Sequence, residues 1–293
     1  MLATVLLAGC SSSEPQPAPE PAKPTVNTDI AASVPAPIRE RGTLTVATDP
    51  NYPPMEFLNV DGELTGAEID LVTAVAEVMD LTPNYTVDAF SAIPTAVRTG
   101  QFDLGAATLT VRPDRPLRNN AVVFAQSGSQ LISSGDIDSQ TTSRCGLEIG
   151  ALEGTFQINQ LLQEAKACRK EQLPQLKVVP FANLESATAA LTSNKISLFL
   201  TESIVSESLL TSYPDLLSAI GPVREVLPVA WVTAPDARKL TRTVKRALQQ
   251  LIDSGYYQTV MKEYDIRANS ITSPRIIWAD DDQKSPNQRN GSG

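Results

Sequence analysis

The chain has 293 residues, with 24 Lys and Arg against 33 Asp and Glu, a formal net charge of −9. That length fits one large domain or two modest ones, the 42 % hydrophobic content supports a sizeable core, and the acidic balance argues against a nucleic-acid partner. Histidine is absent, which removes every His-based triad, general base and metal ligand, and three cysteines are too few for a four-thiolate zinc site.

The chain opens MLATVLLAGC. A short apolar stretch ending in small residues reads as the end of a secretory leader, and Leu7-Ala8-Gly9-Cys10 is similar to a bacterial lipobox, with Cys10 as the lipidation site. The basic residues that normally open such a leader are missing, so an upstream start or a trimmed chain is expected. Residues 11–37 carry many prolines and almost no large apolar side chains. They are expected to form a disordered tether, extended at about 3 Å per residue where proline is densest. No apolar run approaches the ~20 residues of a membrane-spanning helix.

Residues 42–48 then read as a strand, bounded by glycine and proline. Asp49 to Pro54 is a loop and Asp61-Gly62 a hairpin-type turn. Apolar residues at Ile69, Val72, Val75, Ala76 and Met79 predict a helix over 66–79. Strands follow at 85–88 and 102–109, separated by a helix over 93–99 that ends at Gly100. The alternation repeats, with strands at 147–150, 176–180 and 196–200 and helices at 156–167 and 184–192. An amphipathic helix over 240–253 closes the folded part. Such alternation predicts an α/β fold with mostly parallel sheets, and two sets of ~100 residues predict two lobes. Cys145 and Cys168 bracket the first strand and helix of the second lobe. The exported context implied by the lipobox makes them a disulfide pair. Residues 271–293 read as a polar tail, from which Ile276, Ile277 and Trp278 can still dock on the domain; Asp280-Asp281-Asp282 lacks the alternating spacing of a calcium loop.

Four segments, in matching order and spacing, carry a family resemblance: GTLTVATDPNYPPMEF at 42–57 with GAEIDL at 66–71; GQFD at 100–103 running into TLTVRPDR at 108–115; EGTFQ at 153–157; and SLFLTES at 197–203. From about Arg39 to Ile266 the chain resembles the polar amino-acid family of extracellular solute-binding proteins, which serve bacterial ABC importers. The resemblance implies a type II periplasmic-binding-protein-like fold with two hinge crossings, near 126–131 and 222–228. Lobe 1 then comprises residues 38–126 and 227–270, and lobe 2 residues 127–226. The ligand is expected in the cleft between them.

A free amino acid presents a carboxylate and an ammonium on one carbon, and taking both out of water requires a partner for each. Arg115 aligns with the family's carboxylate-binding arginine, five residues after Thr110; Arg112 and Arg118 are expected to be ordinary surface arginines. Thr108 and Thr110 end a strand and offer donors. Thr155 follows Gly154 at a helix start, where it serves either as N-cap or as ligand contact. Glu202 stands where the family usually has an aspartate that holds the ammonium. Asp49 is a second acid, or a cap for its own loop. By the resemblance Tyr52 packs over the ligand side chain, Phe90 either lines the same wall or belongs to the core, Phe156 replaces a commonly small polar residue and narrows the pocket, and Gln157 either bonds the ligand or faces solvent. Together these imply a lipid-anchored, monomeric, extracytoplasmic binding protein that needs no cofactor or metal and hands an amino-acid-like solute to an ABC permease at the cell membrane. The alternative is an exported dehydratase of prephenate- or arogenate-like acids on the same scaffold, with Glu202 or Asp49 moving the proton.

Overall fold

The computed structural model describes residues 23–113, 115–135 and 143–279. The lipobox with Cys10, residues 11–22 of the expected tether and the Asp280-Asp281-Asp282 run lie outside the described residues. Two short helices come first, α1 (Thr28–Ala32) and α2 (Ala36–Arg41). They are followed by β1 (Thr43–Thr48), three small strands β2 (Asn51–Tyr52), β3 (Glu56–Leu58) and β4 (Leu64–Thr65), α3 (Ala67–Val78), β5 (Thr82–Val87), α4 (Ile93–Arg98), β6 (Leu104–Thr110) and the long β7 (Asn120–Ser133). Beyond it come β8 (Glu148–Leu152), α5 (Phe156–Lys170), β9 (Lys177–Phe181), α6 (Leu184–Thr192), β10 (Leu198–Glu202) and α7 (Ser203–Ser212). The long β11 (Ser218–Thr233), α8 (Arg238–Asp253), α9 (Tyr256–Glu263) and β12 (Arg275–Ile277) complete the order.

The main sheet runs β5-β1-β6-β11-β7-β10-β8-β9, with β12 added to β7, and β2–β4 form a small sheet of their own. Strands β5, β1 and β6 are mutually parallel, as are β10, β8 and β9. Between these halves β7 and β11 pair antiparallel over their whole length, from Asn120 opposite Thr233 to Ser133 opposite Ser218. They therefore belong to both lobes and make the two crossings of the two-lobed, mixed α/β fold. Both edge strands carry a proline, Pro83 in β5 and Pro180 in β9, where a missing N–H costs no ladder bond.

Each lobe buries the helices' apolar faces against its half of the sheet. In lobe 1 the larger cluster joins α3, α8 and α9 to the strands, with Trp231 stacked on Phe124 at 4.6 Å between ring centres. Helix α8 shows why: Leu240, Val244, Ala247, Leu248, Leu251 and Ile252 are buried on one stripe, the spacing of an amphipathic helix. Lobe 2 has two smaller clusters, one under α5 and one under α6 and α7. The Cys145–Cys168 disulfide forms beside the first, its Cα atoms 5.7 Å apart.

Two expectations about the chain ends need correction. The tether does not extend to residue 37, because α1 and α2 bury Ile30, Val34 and Ile38 in the lobe 1 core. Their spacing of four residues sets them on one side of the chain, and Asn27 caps α1 by accepting from the N–H groups of Asp29 and Ile30. Nor is the segment after 270 wholly a tail. Arg275 to Ile277 pair with Val123 to Ala121 of β7, and Arg238 and Arg242 lie over the ring of Trp278 at 4.0 and 5.2 Å.

Candidate functional site

The carboxyl ends of β1, β6, β8 and β10 face one another across the gap between the lobes, the place where α/β sheets collect ligands. A cavity of about 730 Å³ occupies it. Lobe 1 contributes Asp49 and Tyr52 after β1, Phe90 after β5, and Thr108, Thr110, Arg112 and Arg115 at and beyond the end of β6. Lobe 2 contributes Gly154, Thr155 and Phe156 at the start of α5, Asn183 at the start of α6 and Glu202 at the end of β10. All nine residues expected to bind ligand thus line a single cavity.

Their surroundings divide them. Glu202 is buried, and its Oε1 accepts from the Thr110 hydroxyl of the opposite lobe at 2.9 Å. Its Oε2 is buried and accepts no hydrogen bond from the described residues. Burial pushes this carboxyl up to about 7, against the donors Thr110 and Tyr52 and with added push from the Glu68 charge. Tyr52 is itself pushed up, by burial first and then by Glu202 and Glu56. Arg115 is exposed on the facing lobe 1 wall.

Helix α5 starts here because Thr155 caps it: its Oγ1 accepts from the Ile158 N–H at 3.4 Å and donates to the Leu152 carbonyl at 2.7 Å. The N-cap role is the one the geometry shows, and the capped helix start opens on the cavity. Asn183 caps α6 in the same manner, accepting from Ser186 N–H, and lines the same wall.

Other expectations change. Thr108 sits at the cavity, but its donors are turned away from it. Its N–H donates to Glu68 Oε2 at 2.7 Å, and its hydroxyl oxygen lies 2.8 Å from an oxygen of both Glu56 and Glu68. Asp49 acts as a loop clasp, accepting from the Asn51 side chain and, at 2.9 Å, from the Phe90 N–H. Gln157 neither faces solvent nor reaches the cavity; it is buried and donates to Ser129 of β7 at 3.1 Å. Arg112 is no ordinary surface arginine, because its guanidinium lies 5.0 Å from the Phe156 ring centre across the cleft, a cation–π geometry. Phe156 lines the cavity beside it. Glu56, Arg98, Glu153 and Asn183 also line it and were not anticipated; only the helix-starting position of Asn183 left a trace in the sequence.

The cleft thus sets guanidinium groups on the lobe 1 wall against two helix N-termini and a buried carboxyl on the lobe 2 wall. The chain is 28% identical over 276 residues to an arginine-binding protein of Corynebacterium glutamicum, covering 92% of this chain and 90% of that one. It is similar to the structure of an ancestral arginine-binding protein bound to arginine, at 22% identity and TM-score 0.66, covering 76% of this chain and 98% of the other. It is also similar to an ancestral amino acid-binding protein described as a precursor of cyclohexadienyl dehydratase, at 22% identity and TM-score 0.65, covering 78% and 98%. The profile of the bacterial extracellular solute-binding proteins, family 3, matches residues 44–266, and the chain belongs to that family.

Proposed function

We propose that this protein captures a free α-amino acid outside the cytoplasm and delivers it to an ABC permease, tethered to the membrane through a lipidated Cys10. The observation that carries the capture step is the Glu202 carboxyl, buried on the cavity wall with one oxygen lacking a partner among the described residues and Arg115 on the facing lobe. The ligand ammonium takes the open oxygen of Glu202. Its carboxylate takes the Arg115 guanidinium in a two-pronged bond, with the N-terminus of α5 alongside. The side chain lies between Tyr52, Phe90 and Phe156, whose faces also tolerate a cation. The resemblance to an arginine-binding relative makes arginine the first ligand to try. Closure turns lobe 2, residues 127–226, against lobe 1 about the crossings near 126–131 and 222–228.

The test is a thermal-shift screen against the twenty amino acids, because a ligand of the folded state raises stability by RT ln(1 + [L]/Kd). A clear shift with one chemical group of amino acids names the ligand class; no shift with any of them removes the reading. Arg115→Ala should then weaken the ligand roughly a hundredfold, as loss of a charge-assisted pair implies, and unchanged affinity in calorimetry removes the carboxylate assignment. A second reading rests on the carboxyl of Glu202 being poised at about 7, a range suited to proton transfer. It makes the protein a dehydratase of prephenate-like acids. Turnover by the wild type that disappears in Glu202→Gln decides for it.

A further inference from the structure

At the cavity floor lies a second set of acids that the capture step does not use, with Glu56 on the lining and Glu68 behind it. Glu56 of β3 and Glu68 of α3 are 1 % and 0 % exposed, and both meet at Thr108. Gly66 makes the meeting possible. Its backbone, at φ +128°, passes so close to Met55 that a Cβ would fall 2.2 Å from the Met55 carbonyl oxygen. The start of α3 therefore lies directly against β3, with the Ala67 and Glu68 N–H groups bonded to the Pro54 and Met55 carbonyls at 2.9 Å. Thr108 is held at φ +45°, the left-handed region that a β-branched residue enters only when its surroundings compel it.

The two carboxyls are unequal. Glu68 accepts the Thr108 N–H, faces the Thr108 hydroxyl and receives the Glu56 carboxyl, and it sits in the first turn of α3, where the helix dipole favours an anion. Burial pushes both groups up, but these donors oppose the push on Glu68, whereas the Glu68 charge drives Glu56 well upward. Two carboxyls meeting at one threonine out of water favour a single shared negative charge, and the Thr108 donors and the helix start favour it on Glu68. That charge acts on Glu202 above it.

We propose that Glu56 and Glu68 are positioning residues of the ligand site: they clamp the end of β6 through Thr108, so that Thr110 two residues on meets Glu202, and they place buried acid behind it that attracts the ligand ammonium. The proposal rests on the amino-acid reading and deepens it, since an ammonium on Glu202 then displaces the proton that burial favours there. Glu202 is faced by Thr110 of β6, Tyr52 of β2, Glu56 of β3 and Glu68 of α3. The other charged groups on the cavity wall are Asp49, Arg98, Arg112, Arg115, Arg118 and Glu153.

The experiment compares the full chain with its Glu68→Gln variant, in which the amide oxygen still accepts from Thr108 while the charge is gone. Carbon-detected NMR of ¹³C-glutamate-labelled, ligand-free protein follows the carboxyls, with the Glu202 signal identified by its loss in Glu202→Gln. Calorimetry with L-arginine, L-histidine and L-glutamine at pH 6 and pH 8 follows binding. The Glu202 midpoint is expected near 7 in the wild type and lower by about half a pH unit or more in Glu68→Gln, with affinity at pH 8 weaker by roughly threefold, the factor that half a unit represents. At pH 6 the two proteins should converge, because the variant's Glu202 gives up its proton more readily. An unmoved midpoint overturns the electrostatic role even if no amino acid binds, whereas a moved midpoint with no binding of any amino acid removes the amino-acid reading alone. Should Glu68→Gln not fold, Thr108→Ser and Thr108→Val replace it. Serine keeps the hydroxyl and should match the wild type; valine should weaken binding, and equal affinity of the two overturns the clamp.

Discussion

The two lobes reach the same architecture with unequal means. Lobe 1 gathers its main core around the Trp231–Phe124 stack and draws in helices from both ends of the described chain, from Ile30 of α1 to Met261 of α9. Lobe 2 is an uninterrupted stretch between two strands, and its interior is split into two small clusters, one of them stapled by Cys145–Cys168. Buried apolar area scales with the size of a core, so lobe 2 depends on a covalent constraint where lobe 1 depends on burial. The lobes also divide the chemistry of the cleft. Lobe 1 brings the arginines and the aromatic rings Tyr52 and Phe90; lobe 2 brings a carboxyl and capped helix N-termini.

Four measurements sharpen or break this contrast. Trp231→Ala should be the most damaging, at about 3–5 kcal/mol for loss of a large buried aromatic, and chemical denaturation should show lobe 1 unfolding with it; a cost under ~1 kcal/mol would contradict the dependence on burial. Replacing both Cys145 and Cys168 by serine should cost about 3 kcal/mol in the chain-entropy account of a loop of this length. Hydrogen exchange should report the loss in β8 and α5 while lobe 1 stays protected. Equal loosening of both lobes would break the comparison.

The third measurement concerns pH. Glu202 titrates at about 7 in the folded protein against 4.5 as its ordinary value. Between those values the folded state holds a proton that the unfolded chain has lost, so stability is fully present below about pH 4.5 and declines as pH rises through 7. From this carboxyl the ligand-free protein should lose up to about 3 kcal/mol between pH 5 and pH 8, and Glu56 and Glu68 act in the same direction. A ligand supplying an ammonium should restore it at pH 8. A melting temperature that rises over that span contradicts the assignment. The smallest effect is Thr155→Ala, about 1 kcal/mol for a lost N-cap, seen as a lower denaturation midpoint with the cleft residues of lobe 1 unperturbed by NMR.

The alternation of strands and helices was legible because each element carries its own period, as with Leu240 to Ile252 along α8. The cleft was legible only through the family resemblance, since Arg115, Thr155 and Glu202 are ordinary residues until the fold collects them. Three things escaped for physical reasons. Prolines 35 and 37 gave residues 28–37 the composition of a linker, although Ile30, Val34 and Ile38 kept helical spacing. Pro222 and Pro228 interrupt β11 and hid its length, which shifts of register accommodate. The Glu56–Glu68–Thr108 cluster joins residues 12 to 52 positions apart, and no local pattern announces a contact of that separation.

Both ends of the described chain rest on the same lobe. Asn27 donates to Gln250 of α8 at 2.7 Å, and β12 lies along residues 121–123 of β7 with Trp278 under Arg238 and Arg242. Lobe 2 is therefore inserted through two strands, with the start of α7 also bonded to the C-terminal segment through Ser203 and Asn269 at 2.7 Å, and a turn of that lobe about the strands would leave both termini in place. A fluorophore near residue 25 or residue 279 is a fixed reference, and a second on α5 reads the opening angle of the cleft directly, whichever terminus is chosen.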